Sequence, residues 1–163
     1  MLLLFSCASQ KRIAPGHHIP PPPSGSEVFN SSKIQVESAY QRKIIVQYAV
    51  KSLGLPYKWG GQSPETGFDC SGLIVYTYQK AGVMLPRTAK KQFGNGQIVS
   101  KQNLRVADLV FFKTPKVRKV FHVGIYIGDG IFVHAPGKGR QVTYGYLSNP
   151  YFKKHYIGAR SYL

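Results

Sequence analysis

Acidic residues are scarce in this chain: six Asp and Glu stand against 22 Lys and Arg, a formal net charge of +16. Such a surface attracts polyanions, whether nucleic acid, anionic lipid or an acidic wall polymer. The bases are spread along the chain, however, and no aromatic–basic repeat marks a nucleic-acid module, so no nucleic-acid partner is expected. Cysteine is scarcer still, with two copies, Cys7 and Cys70. Their surroundings differ too much to suggest a disulfide framework. No apolar run approaches the roughly 18 residues of a membrane span. Internal repeats are absent, which excludes solenoids and propellers.

What is present suits one packed domain. The 163 residues are 43% hydrophobic and 13% aromatic, enough for a real core once extended ends are set aside. Cys7 closes Leu4-Phe5-Ser6-Cys7 after a short apolar run and before polar residues. That pattern resembles the end of a bacterial lipoprotein signal, shortened to residues 1–7, with the cysteine as lipidation site. Residues 8–37 read as a Pro/Ser-rich tether, with Pro20 to Pro23 holding it extended. Lipidation at Cys7 would leave Cys70 without a disulfide partner in the chain. It would also leave an anchored domain free to search the space above its membrane.

The folded domain is expected over 38–163. Ser38 and Gln41 have capping-box spacing, and Tyr40, Ile44, Ile45, Tyr48, Ala49 and Leu53 recur as a helical apolar face. Gly54 and Pro56 end that helix. A second helix is predicted from Cys70 to Ala81, stopped by Gly82, and a third from Thr88 to Phe93. Beyond Asp108, itself read as a turn residue, the texture changes to strands: Leu109–Phe112, His122–Ile127, Ile131–His134, Val142–Tyr144 and Tyr156–Arg160. Helices first and short antiparallel strands after make an α+β pattern.

Cys70 stands in Phe68-Asp69-Cys70-Ser71-Gly72, a polar helix start rather than a core stripe. Unpaired N–H groups and the helix dipole at such a position favour the thiolate, which is the reactive form. His122 and His134 follow in strand-like runs, and a cysteine with downstream histidines is the pattern of a thiol hydrolase. Alternation puts His122, Gly124 and Tyr126 on one strand face, with Gly124 expected to leave open space beside the imidazole. A two-residue turn in Gly128-Asp129-Gly130-Ile131 would oppose Ile125 to His134 and separate the histidines. A three-residue loop, Gly128 to Gly130, would oppose Gly124 to His134 and make the histidines diagonal neighbours on one face. In that arrangement His134 can orient His122 as the third member of a triad. The same three side chains could instead be read as zinc ligands, but three ligands at an unusual spacing make a poor zinc set, and no metal is expected.

These residues resemble the NlpC family of papain-like cysteine peptidases of bacterial cell walls. The resemblance runs from about Ile44 to Arg160. It is carried by Tyr57-x-Trp59-Gly60-Gly61, Asp69-Cys70-Ser71-Gly72, Leu85-Pro86-Arg87-Thr88, Asp108-Leu109-Val110-Phe111-Phe112, His122-Val123-Gly124-Ile125-Tyr126-Ile127-Gly128 and His134-Ala135-Pro136. It implies an α+β papain-like fold with N-terminal helices packed on a mostly antiparallel sheet. The implied triad is Cys70, His122 and His134, with Tyr57 projecting into the site and Asp69, Ser71 and Arg87 lining a substrate cleft. Cofactor-free hydrolysis of amides in peptidoglycan stem peptides or their crosslinks is implied, with cysteine and histidine meeting as an ion pair. The chain most resembles the small single-domain forms carried as outer-membrane lipoproteins, which agrees with Cys7 and implies a monomer facing the periplasm. A non-catalytic wall-binding lipoprotein of the same fold, or an acyltransferase or amidase on lipid-like substrates, is the competing reading. Ala107 departs from the pattern, standing where the family usually has glycine. Lys113, Lys116, Arg118 and Lys119 make the stretch before His122 unusually basic.

Overall fold

The computed structural model describes residues 25–113 and 121–163, so Cys7, the proline run and Lys116, Arg118 and Lys119 lie outside the described residues. The helices are α1 (Gly25–Lys51), α2 (Cys70–Lys80), α3 (Ala89–Asn95) and α4 (Pro150–His155). A small hairpin, β1 (Gln62–Ser63) and β2 (Gly67–Phe68), precedes α2. The main sheet contains β3 (Gln97–Val99), β4 (Leu109–Lys113), β5 (Phe121–Gly128), β6 (Ile131–His134), β7 (Thr143–Tyr146) and β8 (Tyr156–Ser161). Its order is β3-β8-β4-β5-β6-β7, and every pairing is antiparallel.

Strand parity sorts the sheet into two faces. Leu109, Phe111, Val123, Ile125 and Val133 pack toward the helices with Ile45, Ala49, Leu73, Ile74 and Tyr78. Val110, Phe112, Phe132 and Ala159 face the other way, under Phe152 of α4 and Tyr156. Buried on both faces, β4 reads as an unbroken apolar run rather than an alternation.

α1 begins at Gly25, so residues 25–37 are helix rather than tether, and Ser38 lies inside the helix instead of capping it. No proline or glycine interrupts 26–37, which leaves nothing to stop the helix there. The buried face of α1 also differs from the periodicity reading. Tyr40 is 61% exposed, while Arg42 joins Ile45 and Ala49 inside. Arg42 donates to Asp108 Oδ1 (2.9 Å), the Val106 carbonyl (2.7 Å), Ser161 Oγ (3.0 Å) and the Leu163 carbonyl (3.1 Å). Asp108, expected as a turn residue, is therefore a fully buried partner that also accepts the Arg105 N–H. The charged guanidinium brings together α1, the 105–108 turn and the chain end.

The turn between β5 and β6 is tighter than the expected three-residue loop. Gly128 pairs with Ile131 around Asp129 and Gly130, which both hold positive φ (51° and 73°), as a two-residue hairpin turn demands. A bulge then shifts the register by one, and Tyr126 pairs with Phe132 and Ile125 with Val133. The bulge restores the alignment that the longer loop would have produced, and both histidines end on one face. Ala107 sits at φ 67°, the left-handed region. The turn thus keeps a glycine-type conformation despite the β-carbon, and the Tyr78 hydroxyl donates to the Ala107 carbonyl.

Candidate active site

Glycine packing explains how Cys70 comes to sit at the head of α2. A β-carbon on Gly61 would lie 2.3 Å from the Gly67 carbonyl oxygen, and one on Gly72 would lie 2.0 Å from that of Gly61. The loop can therefore lie directly on the helix start only as glycine. Asp69 caps the helix: its Oδ1 accepts the Gly72 N–H at 2.6 Å, and its Oδ2 accepts the Gly60 N–H at 3.0 Å. Arg87 closes on the same carboxylate with both terminal nitrogens, at 3.0 and 2.7 Å, and donates to Ser71 Oγ at 3.0 Å. Asp69, Ser71 and Arg87 thus form one fixed polar frame around the cysteine.

Beside this frame lies a cleft of about 560 Å³ whose lining includes Tyr57, Asp69, Cys70, Ser71, Arg87 and His122. The fold brings these residues together from α2, β5 and two loops. Trp59 also reaches the rim and is 81% exposed, although sequence reasoning gave it no site role. An aromatic beside glycines gives no sign in sequence of which way it points. Lys90 and Phe121 also line the wall and were equally unannounced, whereas Thr88 and Pro136 stand in motifs that carry the resemblance.

His122 Nε2 and His134 Nδ1 are 2.8 Å apart, with the rings edge to face. That contact leaves His122 Nδ1 to serve the thiol. If Nδ1 accepts from sulfur, Nε2 carries the proton and donates to His134, which fixes both tautomers. Phe112 and Phe132 pack against the imidazoles. The space at Gly124 is not open as expected: a β-carbon there would meet the Phe132 ring at 2.5 Å. Glycine at this position admits a packing aromatic, not a substrate.

Burial, then the Asp69 carboxylate, pushes the Cys70 thiol up to about 11, while backbone groups of Val123, Ser71 and Cys70 itself pull it down. Burial lowers His122 to about 4. Burial, then the charges of His122 and Arg140, lowers His134 to about 3. These directions favour a neutral thiol beside a neutral imidazole in the substrate-free site, not the ion pair expected from sequence. The physical reason is desolvation, which penalises the charged form of each group. Tyr57 is raised by burial, then by Cys70 and Asp69, so its hydroxyl keeps its proton and can donate. Among the described residues no cluster of metal-binding side chains occurs.

A cysteine on a helix start shares a cleft with His122 in an α+β fold, the layout of a papain-like domain. Residues 54–161 match the NlpC/P60 family, and the chain belongs to that family. It is 37% identical over 134 residues to the murein DD-endopeptidase MepH of Escherichia coli (strain K12), covering 80% of this chain and 49% of that protein. The chain therefore spans about half the length of that curated relative. The solved NLP/P60 protein from Staphylococcus aureus, described as similar to lipoprotein, superposes with a TM-score of 0.67 at 42% identity, covering 74% of this chain and 41% of that one. The NlpC/p60 domain of the peptidoglycan hydrolase SagA gives 0.62 at 34% identity, covering 74% of this chain and 97% of that domain.

Proposed function

We propose that this protein is a cysteine endopeptidase that hydrolyses amide bonds in peptidoglycan stem peptides or their crosslinks. The observation that carries the reading is the shared cleft of Cys70 and His122, with His134 at 2.8 Å behind the imidazole. Relatives named as murein endopeptidase and peptidoglycan hydrolase supply the substrate class.

Cys70 Sγ attacks the amide carbonyl while His122 Nδ1 takes the thiol proton, so charge forms only as the carbon–sulfur bond forms. The Cys70 backbone N–H and the Tyr57 hydroxyl donate to the developing oxyanion in this reading, supported by Tyr57 and Cys70 lining one cleft. The tetrahedral intermediate collapses, the C–N bond breaks, and His122 returns the proton to the leaving amine. Water, deprotonated by His122, then hydrolyses the thioester and restores the thiol. His134 holds the His122 ring and shares the imidazolium charge. Asp69, Ser71 and Arg87 present a rigid polar wall to the acyl side of the peptide. Anchoring through a lipidated Cys7 to the outer membrane belongs to the same proposal, supported by the residues around Cys7 alone. A Cys7→Ser chain recovered in the soluble fraction, with the parent in the membrane fraction, would support it.

Mass spectrometry of sacculi and purified muropeptides digested with the enzyme tests the main reading. Cys70→Ala should abolish product while still binding muropeptide, because alanine is a good helix former and removes only the sulfur from the packing around residue 70. His122→Ala should cost about a thousandfold or more in kcat, and His134→Ala less, since water can partly replace an orienting group but not the proton carrier. Binding without cleavage by the parent protein would establish the non-catalytic wall-binding reading instead.

A further inference from the structure

His122 lines two hollows. The second, of about 690 Å³, shares His122 and Pro136 with the cleft, adds His134, and is walled by Lys138, Arg140, Tyr151 and Phe152. Cys70 does not line it. Chemistry decides which half of a substrate each hollow takes. The acyl half becomes a thioester on Cys70 and must occupy the cysteine's cleft. The amine must lie against His122, which protonates it, and the walls shared at His122 and Pro136 make the second hollow the neighbouring space into which the chain beyond the amine can run.

We infer that this second hollow is the subsite for the amine-side half of the substrate, and that Lys138 and Arg140 there bind a free carboxylate. The inference rests on the peptidase reading above and deepens it. Both side chains are exposed, and neither has an acidic partner among the described residues, whose ion pairs are Arg42–Asp108 and Arg87–Asp69. No acidic side chain among the described residues lines the hollow. The loop that carries the two charges is tied down: the Arg140 carbonyl accepts the Tyr57 N–H at 2.8 Å, and its N–H donates to Gly137 at 3.1 Å. The backbone that carries the cations is therefore placed relative to the cleft. Tyr151 and Phe152 offer an apolar wall suited to the methylene stem of a diamino acid.

The arrangement has a catalytic consequence. Arg140 is close enough for its charge to disfavour protonation of His134. A carboxylate bound to Arg140 would offset that charge and ease formation of the imidazolium that must expel the amine. Two carboxylates on the amine-side half could serve: one on the carbon that bears the cleaved amine, or the C-terminal one of that peptide.

The test uses three soluble crosslinked muropeptides: one with both carboxylates free, and two in which one or the other is amidated. The enzyme should lose about tenfold in kcat/KM on one amidated form, the loss of a charge-assisted contact, and that form identifies the source. R140Q and K138Q should each lower turnover of the free peptide while leaving the sensitive amidated form nearly unchanged, so the preference disappears; Arg140→Lys should keep part of it. Equal turnover of all three peptides by the parent enzyme, or a uniform loss in the variants, would overturn the subsite while leaving the peptidase reading intact. Failure to cleave any of them would overturn the peptidase reading. Calorimetric binding of the three peptides to the Cys70→Ala chain then decides the subsite by itself: tighter binding of the free-carboxylate form supports it, and equal binding overturns it.

Discussion

Two Arg–Asp pairs in this protein differ in nearly everything except their chemistry. Arg42 and Asp108 meet at 2.9 Å with side chains 7% and 1% exposed, while Arg87 and Asp69 meet at 2.7 Å with 37% and 14% exposed. Arg42 gives one bond to its aspartate and spends its other donors on two carbonyls and a serine hydroxyl, tying distant chain segments together. Its Nε has no partner among the described residues. Arg87 instead grips both oxygens of Asp69, a fork-on-carboxylate geometry that fixes orientation. The buried pair is an architectural commitment, since breaking it strands a charge away from water. The cleft pair contributes little to stability, because solvent screens it, but it sets the position of the helix start that carries Cys70.

The sharpest way to break this contrast is Asp108→Ala. It leaves Arg42 buried without a counter-charge and should cost about 3–5 kcal/mol, lowering Tm by on the order of 10–20 °C. An unchanged Tm would show that water reaches Arg42 and that the pair is not structural. The double change Arg42→Met with Asp108→Leu should regain much of the loss.

At the cleft pair the two readouts should separate. Asp69→Ala removes a helix cap worth about 1 kcal/mol, and Arg87→Met should cost less than about 1 kcal/mol. Both should nevertheless lower kcat/KM on muropeptides by about tenfold or more. Losses of activity that merely track losses of Tm would erase the distinction between the two pairs.

Titration extends the comparison to the half-buried Cys70 and His122. With Cys70 pushed up to about 11 and His122 down to about 4, alkylation of Cys70 by iodoacetamide should climb steadily through pH 8–10. A fast plateau already present near pH 5 would mean that a preformed ion pair overcomes burial. The histidines also link pH to stability. His122 and His134 have folded values of about 4 and 3, below the ordinary 6.5, so the unfolded chain takes up protons first. Stability is full above about pH 6.5 and should fall as pH drops toward 4, with a shallower acid limb in His134→Asn.

The smallest expected effect is at the turn before β4. Ala107→Gly relieves a left-handed alanine at φ 67°, against the extra freedom glycine brings to the unfolded chain. The net gain should be about 0.5 kcal/mol by denaturant titration. A loss instead would mean that the buried Ala107 methyl contributes more packing than strain.

Much of the site could be read from local pattern. Asp69 and Gly72 around Cys70 announce a capped helix start, and the runs from Leu109, His122 and Ile131 announce strands within a residue or two of those observed. The α1 start was misread because Ser38 and Gln41 satisfy a capping pattern that the longer helix does not need. The turn at Asp129-Gly130 was misread because a bulge, invisible in composition, can restore a register that a different loop length would also produce.

By itself, then, the sequence determined the α+β order, the helix-borne cysteine and the strand parity that puts His122 and Gly124 on one face. These follow from capping, breakers and alternation, all of which act over a few residues. Only the tertiary structure decided the rest. Arg42 reaches Asp108, Ser161 and Leu163 across sequence separations of 66 to 121 residues. Phe132 fills the space above Gly124, Trp59 turns outward, and Lys138 and Arg140 gather at a second hollow beside His134. The ionisation of Cys70 and His122 belongs with these, because desolvation is set by everything packed around a group, and no spacing along the chain records what surrounds it.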